Sequence, residues 1–375
     1  MIEIIPNNLY GKTLVNERER DVWPAIMNAK RREQAKKLFT DMGHILKPPV
    51  ELPNFWGAKG KVLLKDEAGF MGLGSFKGRG AIWALANVLA EIFGHNEIDH
   101  DRIIHSAQIE KPFSFVTATD GNHGLAVAWA AKYFRQSAHI FLPSSHQFSI
   151  REEIEKLGAH IHICDGNYDD AVEIARAFAG NNGGILLQDT AWENYEKIPA
   201  YIMEGYGALV DEIFTATPEF WPDYVLLQIG VGSFAASMII NFLARAEKEN
   251  LKIPTFIGLE PEMAACVYRS INMGDGKSHS VTGELKTCMN GLSCGETSTL
   301  AWPVLRANLR YSCHCTDEIA EKGMNILKKN YGIDSGASGA ICVGFLSYID
   351  QEPLLRDKIN MDENFLVIST EKNFA

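Results

Sequence analysis

The sequence is poor in the features that mark secreted, disulfide-bonded and nucleic-acid-binding proteins. Its seven cysteines are scattered without a CxxC pair, so they predict no disulfide framework and favour a reducing cytoplasm. Basic residues number 36 against 47 acidic ones, which makes nucleic acids and anionic membranes poor partners. The first residues lack a basic segment followed by an apolar run, so we expect no secretory signal.

Long hydrophobic runs are also scarce, with one exception at residues 224–244. This stretch carries no charge, but Gly230, Gly232 and Ser233 interrupt it and Gln228 lies inside it. We therefore predict a buried strand, a glycine turn and a helix here rather than a membrane span.

What the sequence does contain is a regular alternation of strand and helix patterns. Strands are predicted at residues 61–65, 113–118, 139–142, 160–164, 184–188, 225–229 and 255–259, and helices at 81–93, 150–157 and 169–178. Such alternation predicts right-handed βαβ units and parallel sheets, and hence an α/β fold. We expect a larger, cofactor-binding domain of residues 1–87 and 206–375, and a smaller α/β domain of residues 88–205.

A glycine turn at residues 230–233 (Gly-Val-Gly-Ser) lies between a buried strand pattern and a helix pattern. Glycines allow a tight turn, and the amides at a helix N-terminus favour anions, so this segment predicts a phosphate site. Gly230, Gly232 and Ala235 also fit G-x-G-x-x-A, with Glu260 at the end of the next strand, a pattern typical of dinucleotide binding. An ordinary strand-to-helix turn is the third interpretation.

Lys77 lies among four glycines, Gly72, Gly74, Gly78 and Gly80. A partly desolvated lysine loses proton affinity and becomes a nucleophile, whose amine can form a Schiff base with an aldehyde. The alternative is an ordinary solvated loop lysine.

Two polar segments follow predicted strands, at the sheet edge where ligands of parallel α/β proteins bind. Residues 117–124 (TATDGNHG) offer Asp120 as an acid or base and Asn122 as a partner for a ring hydroxyl. Helix capping is the simpler interpretation of both residues. Residues 188–195 (QDTAWENY) offer Asp189 as a second carboxylate.

Two groups of residues contain the side-chain types that commonly bind metal ions. His160, His162 and Cys164 share one strand face, and residues 313–315 read Cys-His-Cys. Their reach from a regular strand is poor for one tetrahedral ion, and neither a carboxylate nor a CxxC pair completes them. We predict no metal site.

Taken together, these segments resemble the fold-type II pyridoxal-phosphate enzymes, the group of the tryptophan synthase β-subunit and threonine dehydratase. The resemblance rests on Ser75-Phe76-Lys77, on residues 120–124 and on residues 230–233. Within the group, the chain is most similar to the diaminopropionate ammonia-lyases, through ATDGNHG, NYDDAV, QDTAWENYEKIP, GYGALVDE, LLQIGVG, CVYRSI and GLSCGE. The resemblance covers about residues 55–370 and implies two parallel-sheet α/β domains with the cofactor in a cleft between them.

The resemblance implies an enzyme that uses pyridoxal 5'-phosphate to convert 2,3-diaminopropionate to pyruvate and ammonia. It implies that Lys77 holds the cofactor and acts as the base at Cα, that Asp120 is the second base for the opposite enantiomer, and that Asp189 orients the distal amine. The other implied cofactor contacts are Asn122 at the ring hydroxyl, Gly230, Val231, Gly232 and Ser233 at the phosphate, and Ser369 at the ring nitrogen. The substrate contacts are expected at Ser75, Thr119, Gly121 and His123, in a cytoplasmic homodimer.

Departures from the lyase pattern keep other functions open. Ala337 stands where the lyases usually have Glu, Lys372 replaces a glycine, and the residues after Lys77 are closer to the dehydratases. The alternative within the group is a serine/threonine dehydratase or another β-eliminating or β-replacing enzyme. Outside it, the alternatives are an NAD(P)-binding oxidoreductase built on the glycine turn and a catalytically silent binding protein.

Overall fold

The computed structural model describes residues 1–11, 26, 28–53, 55, 59–119, 121–144, 148–166 and 168–374. In chain order its strands are β1 (Ile2–Pro6), β2 (Val50–Glu51), β3 (Val62–Asp66), β4 (Ser114–Ala118), β5 (Ser137–Pro143), β6 (His160–Cys164), β7 (Ile185–Leu186), β8 (Tyr224–Gln228), β9 (Thr255–Pro261), β10 (Leu309–Cys315) and β11 (Phe365–Ser369). Its α-helices are α1 (Ala29–Asp41), α2 (Lys77–Ile92), α3 (His100–Ile109), α4 (Asn122–Tyr133), α5 (Phe148–Lys156), α6 (Tyr168–Asn182), α7 (Lys197–Ala216), α8 (Ser233–Glu249), α9 (Cys266–Met273), α10 (Trp302–Asn308), α11 (Asp317–Ile326), α12 (Ala337–Leu346) and α13 (Pro353–Arg356).

The chain forms two compact units. The first comprises Met1–Trp23, Leu46–Gly69 and Leu209–Asn373, and the second comprises Pro24–Ile45, Phe70–Ala208 and Phe374–Ala375. These limits differ from the predicted domain limits at residues 24–45 and 70–87, which both fall in the second unit, where helix α2 packs against helix α4. As domain boundaries, the positions 87/88 and 205/206 stay a prediction.

The first unit contains a sheet with the strand order β1-β10-β9-β8-β11-β3-β2. Its five inner strands are parallel, and β1 and β2 pair antiparallel at the two edges. Strand β11 (FLVIS) is buried at every position, as expected for a central strand covered on both faces. Helix α12 packs on β8 and β11, and it in turn contacts α11.

The second unit contains a parallel sheet with the order β6-β5-β4-β7. Helices α4 and α6 both pack on β4 and β5. Helix α2 is buried from Gly78 to Ala90, which is typical of a helix that is apolar on every side and lies in the interior of its domain.

The predicted α/β class with parallel sheets is confirmed. Residues 224–244 form strand β8, the glycine turn and most of helix α8, so the strand-turn-helix interpretation is correct. In the part of the chain that the structure describes, no helix is long and apolar enough to cross a bilayer. The predicted strand at residues 184–188 is shorter, at Ile185–Leu186, and the helix predicted at 81–93 begins earlier, at Lys77.

Candidate active site

Lys77 is the first residue of helix α2, and the glycines that follow it are required by packing. A Cβ atom at Gly78 would lie 2.7 Å from Leu73 Cδ1, and one at Gly80 would lie 2.6 Å from both Ile202 Cγ2 and Tyr206 Cε1. Side chains at these positions would push the first turn of α2 away from its neighbours. The glycines therefore fix the position of the Lys77 backbone, and the solvated-loop interpretation is wrong.

Lys77 forms an ion pair with Asp189, which follows strand β7. The Lys77 side chain is 17% exposed and that of Asp189 is 5% exposed. Burial alone would raise the pKa of Asp189, but the charge and hydrogen bond of Lys77 lower that pKa to about 2. Asp189 is thus a buried carboxylate that stays ionised over the whole physiological range.

Tyr168, at the start of helix α6, is a member of this group that the sequence did not single out. Its hydroxyl donates to Asp189 Oδ1 at 3.5 Å and accepts from Gln188 Nε2 at 2.6 Å. Tyr168 belongs to the NYDDAV string that contributed to the family resemblance, but nothing in the sequence showed that this segment lies next to the residues after β7.

His123 lies in the first turn of helix α4, beside the same carboxylate. Its Nε2 lies 2.8 Å from the Leu187 carbonyl oxygen, which can only accept, so Nε2 carries the proton of the neutral ring. Its Nδ1 is 3.9 Å from Asp189 Oδ2, is buried, and makes no hydrogen bond within the described residues. Burial, aided by the charge of Lys77, lowers the pKa of His123, so the ring is neutral.

The other proposed substrate contacts lie in the same unit. Ser75 Oγ is buried and has no hydrogen-bond partner in the part of the chain that the structure describes. Thr119 Oγ1 accepts from the amides of Gly121 at 2.9 Å and Gly124 at 3.0 Å, so this hydroxyl closes the turn before α4. Asn122 is the first residue of α4. Asp120 lies outside the described residues.

The glycine loop, residues 230–233, belongs to the first unit and connects β8 to α8. Gly232 has a φ of +90°, a conformation that favours glycine. A Cβ atom on it would lie 2.8 Å from Leu305 Cδ1, and one on Gly230 would lie 3.2 Å from the carbonyl oxygen of Gly291. The Val231 carbonyl accepts from Ser298 N at 2.8 Å, and Ser233 begins the 17-residue helix α8. The loop is thus held by contacts with Gly291, Ser298 and Leu305, and the first amides of α8 form a positive helix end.

Ser369 ends strand β11, next to β8 in the same sheet. It is fully buried, and its Oγ donates to Ser335 Oγ at 2.9 Å. Its carbonyl oxygen accepts from Glu67 N at 2.8 Å. Ser335 is a second residue that sequence patterns did not identify, since it lies 34 positions from Ser369 in an otherwise ordinary SGASGA segment.

The residues that suggested a dinucleotide or a metal have other partners. Glu260 is buried and accepts from the amides of Val267 at 2.8 Å and Tyr268 at 2.6 Å, so its carboxyl group caps helix α9. His162 Nε2 contacts His139 Nδ1 at 2.9 Å. Among the described residues, no group of three His, Cys, Asp or Glu side chains could hold a metal ion. None of the seven cysteines, all of which lie among the described residues, forms a disulfide.

Comparisons with known proteins identify the family. The model of the pyridoxal-phosphate dependent enzyme family matches residues 42–370. The chain belongs to this family. Its cofactor is pyridoxal 5'-phosphate, which favours a phosphate rather than a dinucleotide interpretation of the glycine loop.

Several members of the family are similar over most of the chain. A diaminopropionate ammonia-lyase from Salmonella typhimurium is 39% identical over 332 residues, which is 83% of this chain and 81% of the relative. Two crystal structures of diaminopropionate ammonia lyase from Escherichia coli are 34% identical, and each alignment covers 100% of this chain and 94% of the other. The complex with an aminoacrylate-PLP azomethine reaction intermediate has a TM-score of 0.85, and the complex with D-serine has one of 0.86. The fold-type II expectation is confirmed.

Proposed function

We propose that this chain is an ammonia-lyase that eliminates ammonia from 2,3-diaminopropionate, so that pyruvate and two molecules of ammonia are formed with the uptake of water. The observation that carries the proposal is the buried Asp189 carboxylate beside Lys77, in a chain 39% identical to a diaminopropionate ammonia-lyase. The distal amine of diaminopropionate is a cation that such a carboxylate can bind. A hydroxyl-losing dehydratase needs no carboxylate in that role.

The residues present fit pyridoxal phosphate. Side chains at Gly230 and Gly232 would crowd Gly291 and Leu305, so glycines allow this tight loop. Residues 224–244 contain neither Lys nor Arg. The phosphate would therefore be held by the amides of Gly230, Val231, Gly232 and Ser233 and by the positive end of α8. Ser369 would contact the ring nitrogen and Asn122 the ring hydroxyl.

Lys77 is the residue proposed to carry the cofactor and to move the proton at Cα. When bound, pyridoxal phosphate supplies an electron sink for chemistry at the α-carbon of an amino acid. The Lys77 amine is mostly shielded from water, and its position at the helix start is fixed by Gly78 and Gly80. Its Nζ takes the Cα proton from one face of the substrate.

Asp189 is proposed to bind the distal ammonium group. Its pKa of about 2 keeps it ionised, and an ionised partner keeps the ammonium protonated until the Cα proton has been removed. The group then departs as neutral ammonia. Ser75 and His123 are proposed to contact the substrate, because each has a buried polar atom that makes no hydrogen bond within the described chain. Thr119 and Gly121 are proposed to contact it from the turn before α4, which the Thr119 hydroxyl closes.

Asp120 is proposed as the base for the opposite enantiomer. Lys77 approaches the α-carbon from one side only, so a second base is needed for a substrate whose Cα hydrogen points the other way. This assignment rests on the family resemblance of the ATDGNHG segment.

We also propose that the enzyme is a cytoplasmic homodimer. The scattered spacing of the seven cysteines, which form no disulfide, agrees with a reducing compartment. Sedimentation of the purified protein would test the assembly.

A substrate screen tests the proposed function. The protein reconstituted with pyridoxal phosphate is offered D- and L-diaminopropionate, serine and threonine, and 2-oxo acid and ammonia are measured. We expect diaminopropionate to be the best substrate, with two ammonia molecules for each pyruvate, and Asp120→Asn to impair the D-form more than the L-form. Efficient turnover of serine or threonine without turnover of diaminopropionate would instead establish a dehydratase.

A further inference from the structure

Gln228 is the last residue of strand β8 and lies two positions before the glycine loop. Its side chain is buried. Its Nε2 lies 2.8 Å from the Ile368 carbonyl oxygen and 2.9 Å from Thr370 Oγ1, so the amide donates to the residue on each side of Ser369. Its Oε1 is 3.5 Å from Cys342 Sγ on helix α12.

The side chain of Gln228 connects the carboxyl end of strand β8 to that of strand β11. Strands β8 and β11 pair at Tyr224 with Phe365 and at Val225 with Leu366, near their beginnings. At their carboxyl ends, the Gln228 amide supplies two hydrogen bonds, to Ile368 on β11 and to Thr370 just after it. Both amide hydrogens are used, which fixes the side chain in one orientation.

We propose that Gln228 is a positioning residue that holds Ser369 at a fixed distance from the glycine loop. The proposal rests on the proposed function, in which the loop takes the phosphate and Ser369 the ring nitrogen of one rigid cofactor. Two protein groups that bind the same rigid ligand both contribute their full binding free energy only when the protein already holds them at the distance that the ligand requires. A buried amide that binds both neighbours of Ser369, and precedes Gly230 by two residues, sets that separation.

The test is the affinity of the full-length apoprotein for pyridoxal phosphate, measured by titration, and the rise in melting temperature on cofactor addition. Gln228→Leu keeps the volume of the side chain but loses both donors, and we expect the dissociation constant to rise about tenfold. Thr370→Val loses one of the two acceptors and should raise the constant about threefold, so the proposal can be tested even if Gln228→Leu folds poorly.

Asn7 offers a matched control in the same unit. It is a buried amide whose Nδ2 donates to the carbonyl oxygens of Arg306 at 2.8 Å and Leu309 at 2.7 Å, near the edge strand β1. Asn7→Leu should lower the melting temperature of the apoprotein as Gln228→Leu does, but leave the cofactor affinity and the rise in melting temperature unchanged. Equal cofactor affinity of Gln228→Leu and the wild type would overturn the proposal, as would an equal loss in Asn7→Leu.

A pH profile separates positioning from simple loss of packing. In Gln228→Glu the buried carboxyl group has a raised pKa and can donate only when protonated. Its cofactor affinity relative to the wild type should therefore recover as the pH falls, whereas that of Gln228→Leu should stay constant. A wild type that binds the cofactor but releases no ammonia from diaminopropionate would remove the proposed function and leave this role of Gln228 intact.

Discussion

The two units differ in how the polar groups of their candidate site residues are satisfied. In the second unit, Lys77 and Asp189 bring two charges into a largely buried environment, and the buried Ser75 Oγ and His123 Nδ1 make no hydrogen bond within the described chain. In the first unit, the glycine loop and Ser369 are neutral. Gln228 donates to the Ile368 carbonyl beside Ser369, Ser298 N donates to the Val231 carbonyl of the loop, and Ser369 donates to Ser335 Oγ.

From this difference we expect the charged residues around Lys77 to serve the reaction and the neutral groups of the first unit to bind the cofactor. Buried charges and unsatisfied polar atoms cost free energy, and proteins retain them where a substrate or cofactor supplies the missing partner. Neutral groups held by hydrogen bonds cost little free energy and keep their geometry. Substitutions in the Lys77 part should therefore act mainly on turnover, and substitutions in the glycine-loop part mainly on cofactor affinity.

The largest effect is expected for Lys77→Ala. Loss of the base should lower kcat/KM by about 10²- to 10⁴-fold or more, because proton transfer by a positioned side chain is worth that much. Borohydride reduction followed by peptide mapping should label Lys77 in the wild type. Lys132→Ala, an exposed lysine on α4, is the control and should retain full activity. A label on another lysine would falsify the assignment.

Asp189→Asn should affect one substrate more than another. Loss of a charged hydrogen bond should raise the KM for diaminopropionate about 10- to 100-fold, with a smaller change for serine. Tyr168→Phe removes a hydroxyl that contacts the same carboxylate but keeps its charge, so its effect should be much smaller. If both substrates lose affinity equally in Asp189→Asn, this carboxylate does not bind the distal amine.

Gly232→Ala should weaken the cofactor rather than the chemistry. Gly274→Ala is the matched control, because Gly274 has a φ of +71° and a Cβ atom added to it would meet nothing within 4 Å, whereas Gly232 is crowded by Leu305. Gly274→Ala should lower the free energy of unfolding by about 1–2 kcal/mol, the usual cost of a left-handed non-glycine residue, and Gly232→Ala should lower it further because its Cβ also meets Leu305. Only Gly232→Ala should raise the dissociation constant of pyridoxal phosphate, about tenfold. Similar constants in the two variants would argue against phosphate binding at the loop.

The smallest effect is a pH dependence of the apoprotein's stability. The folded pKa of Asp189, about 2, lies below the ordinary 3.8, so its ionised form stabilises the fold above pH 4 and this contribution is lost as the pH falls through 2. The shift corresponds to about 2 kcal/mol, and about half of it should be lost by pH 3. Denaturant unfolding of wild type and Asp189→Asn at pH 7 and pH 3 should show the stability difference shrinking by about 1 kcal/mol. A difference that does not change with pH would contradict the pairing with Lys77.

Local patterns predicted most of the sheet strands. Strand β6 was predicted at its observed limits, and β8 and β9 were predicted to within two residues, because buried parallel strands are short apolar runs bounded by turn residues. Helix α7 was not predicted, since Pro199 and Gly205 lower its intrinsic helix propensity. The structure shows why Gly205 is there: a Cβ atom would lie 2.4 Å from the Arg79 carbonyl oxygen on α2.

The sequence by itself determined the α/β class, and it indicated the glycine loop, Lys77 and Asn122 as candidates because each belongs to a short segment with its own chemical signature. Asp189 is ordinary by itself and became a candidate through the family resemblance. Only the tertiary structure decided which residues meet. Lys77 and Asp189 are 112 positions apart, and Gln228 and Thr370 are 142 apart. Such pairs depend on the order of strands in a sheet, which brings the carboxyl ends of distant segments together and is not encoded in any one of them.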